Sequence, residues 1–201
     1  METAGGGRIL IYADSVIFEG EGAKIEANGR PYSNDPPRRY SLQGGSGGYI
    51  YVKTTNANKN NTISTDSRVE AKGGYGVGDF TSGSGGVVVF DGNFNVPQDG
   101  VVVNGGVAAS GEESACGNGA AGTTYRYKDD SLVIDNKGIK VLAATTATIP
   151  KERQHNSSKG ISELSKKLTV TGKARLIVKG EHYGLTFNNL YVFDESWVEF
   201  G

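Results

Sequence analysis

A junction of very small residues that runs directly into a β-strand pattern occurs four times in this 201-residue chain. The copies are GGGRILI at Gly5, GGSGGYIYV at Gly44, GSGGVVVF at Gly83 and NGAAGTTYRY at Asn118. The strands predicted after them begin at Arg8, Tyr49, Val87 and Thr123, at intervals of 41, 38 and 36 residues. Self-similarity at a nearly constant period is typical of solenoids, propellers and other repeat architectures.

A second motif follows the junction in the first three copies. It consists of IEANG at Ile25–Gly29, VEAKG at Val69–Gly73 and VAASG at Val107–Gly111. The strand signals are short, rich in Val, Ile, Tyr and Thr, and bounded by Gly, Asn and Asp. We therefore predict an all-β protein built as a parallel β-helix, with two coils per repeat, and keep a β-propeller as the second choice. Glycine would serve the corners because it accepts positive φ and has no Cβ to block the next coil.

Alternation within the strands predicts which face is buried. The couples two and four places after the small pair are Ile9 and Ile11, Ile50 and Val52, and Val88 and Phe90. Alternate residues of a strand share one face, so we assign these couples to the core. The fourth copy departs from the pattern, because Tyr125 and Tyr127 have the appearance of its core pair. Either the register slips there by one residue, or Ala121-Gly122 is not the equivalent of the earlier small pairs.

Glycine, at 31 residues, is concentrated in the first two thirds of the chain. We predict glycine-rich β-helix repeats over 5–148, a loop or linker over 149–160, and a β-rich continuation with further coils over 161–201. Outward loops are expected at 30–43 and 54–62, and a helical turn is weakly indicated at 161–167. Both ends resemble cut ends, so we expect a segment of a longer protein, whose partners are neighbouring segments of that chain or identical subunits.

The charge balance disfavours some partners. The 21 basic and 22 acidic residues give a formal net charge of −1, which provides no field to gather nucleic acid or anionic lipid. No apolar run reaches the length of a membrane span.

Cofactor and metal signals are weak. Cys116 is the only cysteine, so a disulfide within the chain is excluded, and His155 and His182 show no metal-binding spacing. None of the glycine runs matches the P-loop pattern G-x-x-x-x-G-K-[ST]. We expect no cofactor, with Ca²⁺ held by carboxylate oxygens as the remaining alternative.

Carboxylates could support catalysis if neighbouring coils brought two of them together as acid and base. The clusters are Asp14, Glu19, Glu21 and Glu26, then Asp129 and Asp130, then Asp194 and Glu195. We expect most of them to be solvated surface residues, and the chain not to be an enzyme.

Two N-glycosylation sequons and two tyrosines are the candidate surface sites. Asn60 and Asn156 each begin an N-x-[ST] sequon in a predicted loop, which favours passage through the secretory route. Tyr49 and Tyr51 flank Ile50 and should face outward if Ile50 faces inward, so they are candidate contacts for a glycan or a partner protein.

The order of motifs resembles a family of glycine-rich β-helix repeat surface proteins of plants and protists. Members carry GGGSGG-x-[IV]-x-[IV] and [IV]-x-A-x-G arrays that end in C-G-x-x-G-T-x-Y and shorter coils. The matching segments are Gly44–Val52, Val69–Gly73 and Cys116–Gly138. The resemblance covers roughly residues 5–200; it implies secretion and a structural role at the cell surface, and names no reaction.

The sequence therefore predicts a non-catalytic, secreted or cell-surface structural module that forms a rigid rod for assembly or adhesion. The alternatives are a carbohydrate-active β-helix, either a polysaccharide lyase or a hydrolase, and a glycan-binding adhesin.

Overall fold

The computed structural model describes residues 4–31, 43–56, 59–76, 81–108, 117–146, 161–163, 167–178, 184–186 and 188–200. These residues form an all-β protein, with one 3₁₀ turn at Gln98–Gly100. The strands are β1 Arg8–Ala13, β2 Ile17–Phe18, β3 Lys24–Glu26, β4 Tyr49–Thr54, β5 Asn61–Ile63, β6 Arg68–Glu70, β7 Val87–Asp91, β8 Phe94–Asn95, β9 Val101–Val102, β10 Thr123–Arg126, β11 Ser131–Asp135, β12 Thr145–Thr146, β13 Ile161–Glu163, β14 Lys167–Thr171, β15 Arg175–Val178, β16 Gly184–Thr186, β17 Asn189–Val192 and β18 Trp197–Phe200.

The strands belong to one large sheet and four small ones. The large sheet, which we call the main sheet, has the order β1-β4-β7-β10-β11-β14-β17. Every pair in it is parallel except β10 with β11. Two parallel sheets accompany its first half, β2-β5-β8 and β3-β6-β9, and two accompany its second half, β12-β15-β18 and β13-β16. A large, mostly parallel sheet is therefore the central feature of the fold.

Equivalent strands of successive repeats pair in register. Arg8 lies opposite Tyr49, Tyr49 opposite Val87, and Val87 opposite Thr123, so the sequence period is the pairing register of the main sheet. Each of the first three repeats contributes one strand to each of three sheets. The prediction of two coils per repeat is wrong, because partner strands are a whole repeat apart.

The predicted core face of the first three repeats is confirmed. Ile50, Val52, Val88 and Phe90 are fully buried, and Ile9 and Ile11 pack against them at the edge of the same cluster. Ile63 and Val69, from the two small sheets, close this cluster from the other side. We call it the first core, and the side of the main sheet that faces it the first face.

The fourth copy keeps its register. Thr124 pairs with Val88 and Arg126 with Phe90, so these polar residues continue the apolar rows of the first face. Tyr125 and Tyr127 lie on the opposite side, which we call the second face. The register slip considered from the sequence does not occur in this strand; the buried side of the sheet changes instead.

A hairpin at the turn between β10 and β11 reverses the chain. Asp130 adopts a φ of 48°, and Tyr125 Oη donates a 2.5 Å hydrogen bond to its carboxylate. A second core lies against the second face and combines residues from before and after this turn. Its members include Tyr51, Val89, Tyr125, Leu132, Ile134, Leu168, Val170, Ala174 and Leu176. Strand β7 is consequently covered on both faces, as the burial of Phe90 on the first face and of Val89 on the second shows.

The glycine junctions bond in two directions. Along the stack, Gly47 donates to the carbonyl of Ser84 at 2.8 Å, from one repeat to the next. Across the stack, Gly48 donates to Ala27 and Gly86 donates to Ala71, each at 2.7 Å. Strand pairing supplies bonds in the first direction only, so the second direction is specific to the glycine segments.

Close backbone approach, rather than unusual φ, explains most of these glycines. A Cβ atom would overlap backbone atoms of a neighbouring segment at Gly6, Gly29, Gly44, Gly45, Gly47, Gly48, Gly73, Gly74, Gly83, Gly85, Gly86, Gly105, Gly106, Gly119 and Gly122, none of which has a left-handed φ. The positive-φ glycines of the described ranges lie elsewhere, for example at Gly20 and Gly92. The expectation that a Cβ would collide with a neighbouring segment is confirmed at the junctions, whereas the expectation of positive φ is wrong there.

Two further expectations concern local structure. The helical turn indicated at 161–167 is wrong where it is described, because Ile161–Glu163 is strand β13 and Lys167 begins β14. The linker at 149–160, Cys116, Asn156, His155 and His182 lie outside the described residues.

Candidate functional site

The candidate site is a groove on the first face, where the first core ends. The two small sheets of the first half stop at β8 and β9, while the main sheet continues through β10, β11, β14 and β17. The groove has a volume of about 520 Å³, within the range of small-ligand sites. Its lining is Val101, Val103, Thr124, Arg126, Asp129, Ser131, Val133, Asp135, Lys167, Thr169, Thr171, Tyr191, Phe193 and Asp194. We use "the groove" for this set.

Rows of register partners build the floor of the groove. One row runs from Arg126 through Ser131 to Lys167. The adjacent row runs from Thr124 through Val133 and Thr169 to Tyr191. Both rows extend apolar rows of the first core, and they turn polar where that core no longer covers them.

Arg126 is the most unusual side chain of the groove. Its Nε is buried and has no hydrogen-bond partner. Burial lowers the pKa of the guanidinium, and the charge of Asp129 offsets part of this shift. Arginine nevertheless remains a cation at neutral pH, so the groove contains an incompletely satisfied positive charge.

Carboxylates line the same groove, and each one contacts a neighbour. Asp129 accepts a 2.9 Å hydrogen bond from Ser131 Oγ. Asp194 accepts one of 2.6 Å from Thr171 Oγ1. Asp135 lies 3.0 Å from Lys137 Nζ and also accepts from the Lys137 backbone N–H at 2.7 Å. These contacts hold the acidic groups against their own turns and strands.

Aromatic rings form one wall of the groove. Tyr191 and Phe193 are stacked, with ring centroids 6.0 Å apart and planes tilted by 20°. They are 38% and 52% exposed. Lys167 Nζ lies 5.3 Å from the centre of the Tyr191 ring, within the range of a cation–π contact.

The structure places the predicted tyrosine pair differently from expectation. Tyr51 is only 6% exposed, and its hydroxyl donates a 2.5 Å hydrogen bond to Asp91. Tyr49 is half-buried and stacks on Tyr51, with centroids 6.5 Å apart. The prediction that both face solvent is wrong for Tyr51, because the second core packs on that side of the sheet.

Asn60 is exposed in the segment directly before β5. Its Oδ1 accepts a 2.9 Å hydrogen bond from Asn93 Nδ2. Its neighbour Asn61 is fully buried: Asn61 Oδ1 accepts from the Val16 N–H, and Nδ2 donates to the Asn93 carbonyl. The first sequon is therefore presented at the surface on a firmly held backbone.

The acidic residues that are close in sequence do not form carboxylate pairs with one another in the structure. Asp14 pairs with Lys59 at 2.6 Å, and Glu26 pairs with Lys24 at 3.4 Å. Asp129 and Asp194, which came from two different clusters, instead line the same groove. In the described ranges, no group of three or more His, Cys, Asp or Glu residues is arranged to hold a metal ion.

A buried carboxylate lies in β6, away from the groove. The side chain of Glu70 is 2% exposed and lies 2.7 Å from Lys72 Nζ, and Asn28 donates to it at 3.2 Å. Burial alone would raise the pKa of Glu70, but the hydrogen bonds from Lys72 and Asn28 and the charge of Lys72 outweigh it, so the pKa lies below its ordinary value. This cluster joins neighbouring repeats and is structural.

Sequence reasoning missed the groove, although one signal was present. Thr124 and Arg126 stand where the preceding repeats have apolar core residues.

Comparison of the chain with protein-family models, characterised proteins and solved structures found no match. Among the helices of the described residues, none is long and apolar enough to cross a membrane.

Proposed function

We propose that this protein is a non-catalytic structural module, a segment of a parallel β-helix in a larger extracellular fibrous or cell-surface protein. The observation that carries the proposal is the in-register stacking of equivalent strands, repeat on repeat, in three parallel sheets. In this interpretation each of the first three repeats closes one coil, and each repeat contacts mainly its neighbours.

The glycine network supports a rigid role. Hydrogen bonds along and across the stack join each junction to two different segments. The neighbouring backbones leave no space for a side chain at 15 of the glycines. Such contacts resist both bending and sliding of one repeat over the next, which is what a rigid rod requires.

The first and last strands of the main sheet support assembly with similar segments. Leu190 and Val192 are 37% and 41% exposed, whereas their register partners Leu168 and Val170 are fully buried. At the other edge, Leu10 is 43% exposed. Apolar rows that continue to an open sheet edge favour pairing with another strand. We propose that further stacked repeats of the same kind, from the same longer chain or from an identical subunit, cover these edges.

Two features support a secreted or cell-surface location: the exposed sequon at Asn60 and the resemblance of the motif order to that of glycine-rich surface proteins.

We also propose that no cofactor is required. The alternative of a carbohydrate-active enzyme rests on the groove, which needs a carboxylate pair acting on a bound glycan.

The test is whether the purified chain self-associates, measured by sedimentation velocity over a range of concentrations. We expect concentration-dependent association, and an X-ray reflection at ~4.8 Å along the axis of aligned assemblies, which is the spacing between strands. Leu190→Glu should weaken association, because it charges the open edge. Leu142→Glu is the matched control, since Leu142 is 61% exposed and lies outside the strands. A chain that stays monomeric at every concentration, or equal effects of the two variants, would contradict assembly. Cleavage of a polysaccharide by the purified chain, through hydrolysis or β-elimination, would favour the enzyme alternative.

A further inference from the structure

The groove contains a positive charge that its own residues leave incompletely satisfied. Arg126 Nε has no hydrogen-bond partner, and no ion pair within 4 Å joins Arg126 to a described residue. A buried polar group without a partner is costly. A ligand that brings an anionic acceptor to Arg126 would remove this cost, and a carboxylate matches the planar guanidinium best.

A second cation shares its row. Arg126 is the partner of Ser131, and Ser131 is the partner of Lys167, so Arg126 and Lys167 lie on the same face two strands apart. With strands spaced by ~4.8 Å, their Cα atoms are separated by about 10 Å. Two cations at this distance along a groove suit an extended ligand with repeated negative charges better than a single small anion.

The other groups in the groove suit a sugar ring. Tyr191 and Phe193 present a stacked, half-exposed aromatic surface, which suits the apolar C–H face of a pyranose. Thr124 and Thr169 place hydroxyl groups along the floor. Asp129 and Asp194 have carboxylate oxygens with capacity to accept hydrogen bonds from sugar hydroxyls.

We propose that the groove binds an acidic saccharide, a glycan segment that contains uronic acid residues. The uronate carboxylate contacts Arg126, the next acidic unit lies towards Lys167, and a pyranose ring stacks on Tyr191. The combination explains why cations, carboxylates and aromatic rings occur together here: a uronic acid is at once an anion, a hydroxyl donor and an apolar ring face. The groove lies on the first face of the main sheet, whereas Leu190 and Val192, at the proposed assembly edge, are register partners of second-face residues and lie on the second face of the same strand β17.

The test is isothermal titration of the folded chain with a hexameric oligogalacturonate and with its fully methyl-esterified form. We expect the acid to bind and the ester to bind at least about tenfold more weakly, since charge-assisted hydrogen bonds are the strong ones. Arg126→Met should remove most of the difference between the two ligands, leaving the part that Lys167 supplies, and Arg126→Lys should retain more of it. Tyr191→Ala should weaken both ligands.

Arg8→Met is the matched control, because Arg8 also lies beside a tyrosine ring, 5.5 Å from the centre of Tyr49, but outside the groove. It should bind the acid as the parent chain does. Circular dichroism must show that every variant is folded. The proposal is overturned if neither ligand binds, if acid and ester bind equally, or if Arg8→Met weakens binding as much as Arg126→Met. Tighter binding of a polyglutamate peptide than of the oligogalacturonate would overturn it in favour of an acidic peptide.

Discussion

Phe90 and Arg126 are register partners in adjacent parallel strands, so a fully buried phenyl ring and a guanidinium occupy one row of the same sheet face. The change occurs over a single strand spacing. It marks where the first core ends and where the second core, on the opposite face, takes over the burial of the sheet.

Adjacent residues of β10 should therefore differ greatly in their contribution to stability. Tyr125 is 1% exposed in the second core, and truncation to alanine should lower the free energy of unfolding by about 3–5 kcal/mol. Arg126→Ala should cost less than about 1 kcal/mol, because it removes no hydrogen bond within the described structure. Urea denaturation followed by circular dichroism measures both values. Equal losses would contradict the assignment of the two faces.

The glycine network predicts a strong dependence on position. Gly85→Ala would place a Cβ onto the Val103 carbonyl and should destabilise by more than about 3 kcal/mol or prevent folding. Gly7→Ala is the control, because a Cβ there meets no atom within 4 Å and φ is not left-handed. It should change stability by less than about 1 kcal/mol. Thermal melting of the two variants decides, and similar melting temperatures would show that the close approach is unimportant.

Glu70 should contribute a pH-dependent part of the stability. Its pKa is lower in the folded protein than its ordinary value, so the charged form is favoured by folding. That stabilisation is complete above the ordinary carboxyl pKa and is lost as the pH falls through the lowered folded value. Glu70→Gln should remove this part of the acid dependence, measured as unfolding free energy from pH 7 to pH 3.

The partner of Glu70 supplies the control. Lys72→Met removes the nearest cation of the buried carboxylate, leaving Arg68 Nη1 at 4.0 Å, and should destabilise by about 2 kcal/mol at pH 7. Adding Glu70→Gln to Lys72→Met should recover part of that loss, since the poorly compensated buried charge is then gone. Strictly additive effects of the two substitutions would argue against a direct interaction.

Asn136 should be essential for the joint between the two halves. It is fully buried, accepts a 2.9 Å hydrogen bond from the Gly105 N–H, and donates one of 2.7 Å to the Ile139 carbonyl. Asn136→Asp removes the donor and buries a charge, so we expect a loss of at least about 2 kcal/mol. Asn95→Asp, at an exposed position of β8, should be nearly neutral. Chemical denaturation of both variants tests this, and an equal response would be inconsistent with a bridging role.

Asn60 should carry a glycan if the chain is expressed through a eukaryotic secretory route. The site is exposed, and the buried Asn61 holds the adjacent backbone. Because Asn156 begins a second sequon, occupancy of Asn60 is measured as the difference in glycan mass between the parent chain and Asn60→Gln, each before and after enzymatic deglycosylation. An unmodified Asn60 in secreted material would remove one of the two supports for the proposed location.

Much of the first half could be predicted from the sequence, because two independent signals agree there. The repeat period indicates which strands pair, and the period-two alternation indicates which face is buried. Ile50 and Val88 satisfy both, and they are register partners in the buried core. The role of the junction glycines was only partly predictable, since a turn and a close backbone contact require the same residue type.

The second core could not be predicted, because it depends on contacts between residues distant in sequence. Tyr51 would lie on a solvated face if nothing packed there, and it is buried in a cluster that includes Ala174 and Leu176, more than 120 residues further along the chain. The groove has the same origin: its floor combines β10, β11, β14 and β17. No local pattern in any one of these strands indicates that the others will join it.

The hairpin between β10 and β11 also affects how the crossover connections of the two halves compare in handedness. Strand order in the main sheet advances in one direction from β1 to β17, but strand direction reverses at the hairpin. Reversal of direction alone would change a right-handed crossover into a left-handed one, and so would moving the crossover to the other face. Here both change together: the β4-to-β7 connection packs on the first face, and the β14-to-β17 connection packs on the second. The two inversions cancel, so both halves wind with the same hand, and both can adopt the right-handed crossover that parallel strands almost always use.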